Sequence, residues 1–442
     1  MPPLSFIRAA RALVLATIGV APPAALAAQD VPARPGRADT LTLLAARAAA
    51  RETSPDLRAL REGVGAAAAR ERQAAAFPNP TLAYGHERTS RDGRSNAQHI
   101  AQLEQPLEIG GQRGARRDVA RLRRLGAEAR LAAAGAQLDF DVTRAYAAAV
   151  AAERRATLAG QAAATFTEAR RVSQARLAAG DISGYADRRL RLEAARYAAQ
   201  RAEATIAREA ARVALATLVG GGEAVARLVL ADTLPADAPA LALPTGDSLA
   251  RLAVAQRAEL RAATLEAEAA GAEARLAARE RVPVPVLSAG LKTEQVADTA
   301  GSQGGFRGLV AGVSLPLPLF DRRGGAVAAA EAEARRRSAE TDALRRRVVR
   351  EVGEAEAALR ALGDEIGALA PQLGPESALA LRAARTAYAE GELTLAEFLD
   401  AVRAYQEAEA SYATLRAEVL VRRAALERAV GAPIDGLPSS ED

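Results

Sequence analysis

QPLEIGGQRGA at residues 105–115 and LPLPLFDRRGGA at 315–326 decide the fold, because the same order of parts surrounds both. Upstream, AAAFPNPTLAYGHE (74–87) has a counterpart in AARERVPVPVLSAGLKTE (277–294). Downstream, LAAGDISGYADRRLRLEAARY (177–197) matches AYAEGELTLAEFLDAVRAY (387–405), and LVG at 218–220 parallels AVG at 429–431. Pro80 and Pro285, Pro106 and Pro316, Gly180 and Gly391, and Gly220 and Gly431 stand 205, 210, 211 and 211 residues apart. Single matches mean little in an Ala-rich chain, but a steady offset over four landmarks indicates a duplication.

Each half reads helix, strand, loop, strand, very long helix, tip, helix. The first repeat spans 29–219, with a strand pair at 81–108, a long helix at 112–178, a tip at 180–184 and a helix at 185–219. A linker rich in Gly, Pro and Ala covers 220–246. The second repeat spans 247–431, with strands at 284–315, a long helix at 325–389, a tip at 391–394 and a helix at 395–430; 432–442 form a tail. Asp39 or Thr40 is expected to cap a first helix running to about Phe77, where Pro78 and Pro80 stop it. Leu309, Ala311, Val313 and Leu315 point one way, opposite Val310, Gly312 and Ser314. About ten residues, apolar on one face, is the pattern of an outer-membrane strand. Four strands cannot close a barrel, so several subunits would share one. The expected loops are RTSRDGRS (88–95) and VADTAGSQGG (296–305).

Nothing strongly breaks a helix from Gln112 to about Ala178, roughly 100 Å of rod at 1.5 Å per residue. Two seams step along it by threes and fours. One runs through Val119, Ala129, Phe140 and Val150, the other through Leu131, Leu138, Val142 and Ala149. A helix in a closed ring needs two seams, one per neighbour. The second long helix contains Pro371 and Pro375, where a kink or break is expected.

The N-terminus sets the compartment. Arg8 and Arg11 precede the apolar run ALVLATIGVA (12–21), and small residues near Ala27 and Ala28 offer a cleavage site, so 1–28 read as a signal peptide. There is no cysteine, which excludes disulfides, thiolate metal sites and an acylated N-terminal Cys. The formal charge of +5 is spread over interleaved residues of both signs, which read as solvated helix faces rather than a nucleic-acid surface. No HExxH, P-loop or GxSxG is present, so no enzyme activity is expected. His86 and His99 fall on one strand pair, too few ligands for a metal site, and no cofactor is expected.

These landmarks resemble the TolC-like outer-membrane efflux proteins over essentially the whole mature chain. PNPTL (78–82), QPLEIGGQR (105–113) and LPLPLFDRRGG (315–325) look like the CzcC-like heavy-metal branch. The resemblance implies a mainly α fold with a small β part. Three subunits would share a 12-stranded outer-membrane barrel, continued by a periplasmic α-helical barrel. It implies a homotrimer in outer-membrane lipid, a periplasmic adaptor docked at the tips, and an inner-membrane RND pump.

At the tips, the resemblance places Glu397 and Asp400, six and nine after Gly391, at the pore constriction, where threefold symmetry would make carboxylate rings that favour cations. By spacing, Glu397, Asp400 and Glu407 share one helical face, opposite Phe398, Val402, Tyr405 and Tyr412. In the first half Ala186 holds the six-after position and Asp187, one further on, is the candidate for the constriction there, leaving a second acidic ring open. Gly180 and Gly391 are expected to need positive φ or a tight helix turn, with Asp181, Ser183 and Thr394 as caps. Glu392 joins them in the expected adaptor contact surface, and Tyr388 matches a tip tyrosine. Two other readings stay open: a drug-efflux or type I secretion channel, and a soluble periplasmic coiled-coil scaffold.

Overall fold

The computed structural model describes residues 40–92, 94–222, 229–231, 234, 243–297, 303–369 and 375–434. The signal peptide, Asp39, Pro371, most of the linker and the end of the tail lie outside these residues.

The first helix is not one helix. A two-residue strand, β1 (Thr40–Leu41), precedes Thr42, whose hydroxyl accepts from Ala45 N–H at 3.2 Å and caps α1 (Leu43–Thr53). Thr42 therefore takes the capping role expected of Asp39 or Thr40. Ser54 then caps α2 (Pro55–Ala74), with Pro55 in its first turn. Proline lacks the N–H that a continuing helix requires, and it is tolerated only at such a start. The second repeat breaks at the equivalent place without a proline, between α5 (Gly246–Gln256) and α6 (Ala258–Arg279).

After α2 come β2 (Thr81–Arg91), β3 (Arg94–Pro106), α3 (Gln112–Ala179) and α4 (Gly184–Val219). The linker carries β4 (Val229–Leu230), which pairs in parallel with β1. In the second repeat β5 (Val286–Ala297) and β6 (Gln303–Ser314) are followed by α7 (Gly324–Leu369), α8 (Pro375–Glu390) and α9 (Leu395–Val430). Of the prolines expected to interrupt the second long helix, Pro375 is the first residue of α8 and Pro371 lies outside the described residues. Both strand pairs run further than their polar sequence suggests. Pairing continues to Arg91 opposite Arg94 and to Ala297 opposite Gln303, so most of the expected loops is ladder. Asp92 adopts φ +51°, the conformation that an Asp-Gly hairpin turn demands.

The four long strands form one antiparallel sheet in the order β2-β3-β5-β6. Register puts Tyr84, Ala101, Leu291 and Leu309 in one row, and Leu82, Leu103, Ala289 and Ala311 in the next. The large side chains among them face outward, Leu309 at 87% and Leu82 at 74% exposure. The other face carries Gln98, Gln102, Glu104, Ser288, Lys292 and Glu294. One apolar and one polar face make this sheet a membrane-barrel segment in pattern. Among the described residues, no helix is long and apolar enough to cross a membrane.

α3 uses both of its seams. It packs on α1, α2 and α4 to one side and on α6 and α9 to the other, and α7 packs on α5, α6 and α9. Val119, Ala129, Val142 and Ala149 are buried along it. Tyr146 lies at the middle with no exposed surface. Its hydroxyl lies 2.8 Å from the carbonyl of Leu41 and 2.7 Å from that of Ala231, tying α3 to the β1–β4 pair.

Gly220 and Gly431 end α4 and α9 in the left-handed region, at φ +76° and +82°. Each sits against the helix break of its own repeat. A Cβ on Gly220 would meet the side chain of Thr53, and one on Gly431 would lie 2.8 Å from Arg257 Cα. Thr53 donates its hydroxyl to Val219 O at 2.9 Å. Arg257, 5% exposed, instead bridges Glu259 and Glu351 at 2.6 Å each. The backbone joint is thus repeated with different side-chain chemistry.

Candidate pore constriction at the helix-hairpin tips

Each repeat ends in a helical hairpin whose turn is set by glycine. Gly180 and Gly391 take φ +81° and +84°, a region that costs residues with a Cβ about 1–2 kcal/mol. Asp181 donates its backbone N–H to Arg176 O at 2.9 Å, and Glu392 donates its own to Ala387 O at 2.8 Å. These bonds close the preceding helix in the Schellman manner. Ser183 and Thr394 then start the next helices, accepting from Ala186 N–H at 3.2 Å and Glu397 N–H at 3.3 Å. Asp181 therefore serves through its backbone, while Ser183 and Thr394 cap through their hydroxyls.

Glu397 is bound into this cap. Its carboxylate accepts from the Thr394 N–H at 2.8 Å and hydroxyl at 2.7 Å, a reciprocal capping box. These bonds, the hydroxyl's first, hold its pKa below the usual carboxylate value. A depressed folded pKa means the box stabilises above the unfolded value and is lost as pH falls through the folded one. Replacing Thr394 with alanine should cost the tip about 1 kcal/mol, read as faster amide exchange at residues 396–399. Unchanged exchange there would contradict the role.

Asp400 is 75% exposed and only loosely paired with Arg403, at 3.7 Å. Glu407 is exposed on the same side, whereas Phe398 and Val402 are buried and Tyr405 and Tyr412 are half-buried. Asp187 is different. It is 1% exposed, accepts from Arg191 Nε at 2.8 Å, and lies 3.5 Å from Ser173 Oγ. Its carboxylate is turned into the subunit, so it does not stand with the solvent-facing acids as the constriction reading expected. By the 211-residue offset Asp187 matches Phe398, and both occupy buried positions.

An aromatic core holds the two hairpins together, and the sequence reading missed it. Phe166 stacks on Tyr197 at 4.1 Å, and Tyr388 stacks on Phe398 at 4.5 Å. Phe166 and Phe398, 6.5 Å apart, link the pairs. Tyr388 works here through its ring, with Arg176 6.0 Å from its centroid, and burial pushes its hydroxyl pKa up. The available signal was scarcity: the chain has only seven Phe and seven Tyr, so four at one place mark that place out.

The chain's two histidines face each other across β2 and β3, ring centroids 4.4 Å apart, with Tyr84 Oη 2.8 Å from His99 Nδ1. Among the described residues, no group of three or more His, Cys, Asp or Glu is arranged to hold a metal.

The combination of sheet, rods and hairpins is shared with known proteins. Residues 249–432 match the outer membrane efflux protein family. That segment is the second repeat from α5 through α9. No curated protein matches the chain in sequence. Solved structures match its fold along most of its length. A membrane protein from Pseudomonas aeruginosa superposes with a TM-score of 0.71 at 24% identity, covering 90% of this chain and 92% of its own. CusC, described as forming a transmembrane channel, gives 0.70 at 18% identity, covering 88% and 92%. The open-state MtrE outer membrane channel of Neisseria gonorrhoeae gives 0.66 at 20%, covering 89% of both chains. The chain has the fold of the outer-membrane efflux channels, and the family it matches is a channel family rather than an enzyme class.

Proposed function

We propose that the protein is the outer-membrane duct of a tripartite RND-type efflux system. The observation that carries this reading is the sheet. It has an apolar outward face, a polar opposite face and two unpaired edges, β2 and β6, joined to rods of channel length. Three copies would pair those edges into a 12-stranded barrel, leaving no edge open. The tips would meet a periplasmic adaptor through Gly180, Asp181, Ser183, Tyr388, Gly391, Glu392 and Thr394, and the pump would supply the energy. Heavy-metal cations are the proposed cargo, on the likeness of PNPTL, QPLEIGGQR and LPLPLFDRRGG to the CzcC-like branch.

Fractionation tests the duct itself. The protein is expected with the outer membrane as a trimer, and extraction without detergent would favour the soluble scaffold instead. Deletion should sensitise cells to zinc, cobalt, cadmium, copper or silver; a phenotype confined to dyes and antibiotics would replace metals by drugs as cargo. At the constriction we assign the acidic rings to Glu397 and Asp400 and leave Asp187 out, because it faces inward. The double variant Glu397→Gln/Asp400→Asn should lower cation-over-anion selectivity in planar bilayers about tenfold or less, the effect of screened surface charge. Asp187→Asn should leave it unchanged. The reverse pattern would move the constriction to the first hairpin.

A further inference from the structure

The outward apolar face does not stop where the sheet stops. β3 and β6 end at Pro106 and Ser314, yet the alternation runs on through Leu107 and Ile109 and through Leu315, Leu317 and Leu319. Ile109 is 68% exposed, Leu317 67% and Phe320 fully exposed. Leu107 N–H still donates to Pro285 O at 2.8 Å, but Pro106, Pro316 and Pro318 have no N–H for a ladder, and past Leu107 and Ser314 these segments leave the sheet. Each then bends in the same way: Ile109 N–H donates to Leu107 O, and Leu319 N–H donates to Leu317 O, both at 2.9 Å. The turn is repeated 210 residues apart, together with its aliphatic pair.

Arginines flank both turns. In the first repeat Arg113 lies 3.8 Å over the Phe77 ring, and it lines with Arg117, Leu107 and Ile109 a cavity of about 740 Å³. In the second, Arg281 and Arg322 line one of about 260 Å³ beside Leu317. The nearby acids are already engaged. Glu108 pairs with Arg116 and Glu280 with Arg323, while Asp321 accepts the Arg323 N–H at 2.7 Å. Arg281 Nε donates to Arg322 O at 3.2 Å, which leaves its terminal nitrogens. Among the described residues, the guanidiniums of Arg117 and Arg322 have no partner.

We propose that each repeat binds the phosphate headgroup of an anionic phospholipid at the foot of its strand pair, with Arg117 in one site and Arg281 and Arg322 in the other as donors. This rests on the membrane-barrel reading of the sheet. Exposed aliphatic and aromatic side chains continuous with a lipid-facing surface belong in the acyl and headgroup zone. Guanidinium forks beside them match phosphate oxygens, and net positive charge favours anionic over zwitterionic lipid. Inorganic phosphate would leave Ile109, Leu319 and Phe320 in water. These paired feet would hold the subunit at the membrane's inner leaflet.

The test uses the full-length channel in neutral detergent, titrated with phosphatidylglycerol, phosphatidylcholine and inorganic phosphate and followed by native mass spectrometry. Phosphatidylglycerol should bind more tightly than phosphatidylcholine, and phosphate alone should not compete at matched concentration. Arg117→Gln with Arg322→Gln should weaken phosphatidylglycerol about fivefold per site, the effect of one basic residue at a membrane surface. Arg322→Lys should keep part of the preference, and all these residues are exposed enough for the variants to fold. Equal binding of the two lipids, full competition by phosphate, or an unchanged preference in the double glutamine variant would each overturn the proposal. A protein that never enters the outer membrane removes the barrel reading itself. One that inserts and conducts without lipid preference removes only these sites.

Discussion

Gly431→Ala should destabilise the helical bundle of the subunit by about 2–5 kcal/mol, the sum of left-handed strain and overpacking against fixed backbone. The new methyl would stand 2.8 Å from Arg257 Cα and 3.0 Å from its nitrogen. Neither atom is the end of a flexible side chain, and both are held because buried Arg257 is tied to Glu259 and Glu351. The joint between α9 and α6 would have to open. Gly180→Ala supplies the control, because Gly180 has nearly the same φ and nothing within 4 Å of where its new methyl would stand. It should lose only the strain, about 1–2 kcal/mol. Thermal and denaturant unfolding of both variants in detergent gives the comparison. Equal losses would mean that the contact with Arg257 contributes nothing.

Gly290→Val is the second large expectation, and it acts on the sheet rather than the rods. Gly290 sits in β5 opposite Gln102 of β3. A Cβ there would lie 2.6 Å from Gln102 Cα and closer still to the Ala101 carbonyl. The β3–β5 ladder is the seam between the two repeats' strand pairs, so separating it splits the sheet into two hairpins, which are marginal alone. The cost should reach at least about 3 kcal/mol. Folded protein in the outer membrane should fall sharply while helical circular dichroism of the purified chain persists. Gly308→Val in β6, with open space around it, should be tolerated. Normal membrane levels of Gly290→Val would show that β3 can shift to make room.

The repeat was legible because Gly and Pro punctuate it at fixed spacing, and those residues act locally. Pro78, Pro80, Gly180 and Gly391 each fix the backbone with no help from distant partners. The seams of α3 were legible for a related reason, since helical periodicity is local as well. The break at Arg257 was not, because no proline marks it and the Glu351 that holds its side chain lies 94 residues away. Pro55 did mark the first break, and the alanine-rich run around it concealed the signal. The strands outran their apolar pattern because a hairpin ladder is held by backbone bonds, which Ser90, Arg91 and Arg94 supply as well as leucine does.

At the tips, the face shared by Glu397, Asp400 and Glu407 followed from spacing alone. The inward turn of Asp187 did not. A carboxylate one position past the expected one lies about 100° further round a helix, which is the difference between an exposed face and the core. Its partners Ser173 and Arg191 come from two helices and carry no joint signature in the chain.

The pairing of Asp187 with Phe398 across the duplication has a thermal consequence. At that position one hairpin carries a buried carboxylate, whose partner Arg191 is 54% exposed one turn along the same helix, and the other carries stacked rings. Apolar contact weakens on cooling, whereas the dehydration cost of an ion pair shrinks on heating. Cold therefore loosens the aromatic contact relative to the polar one. A subunit carried from warm to cold surroundings would loosen at Phe398 before it loosens at Asp187.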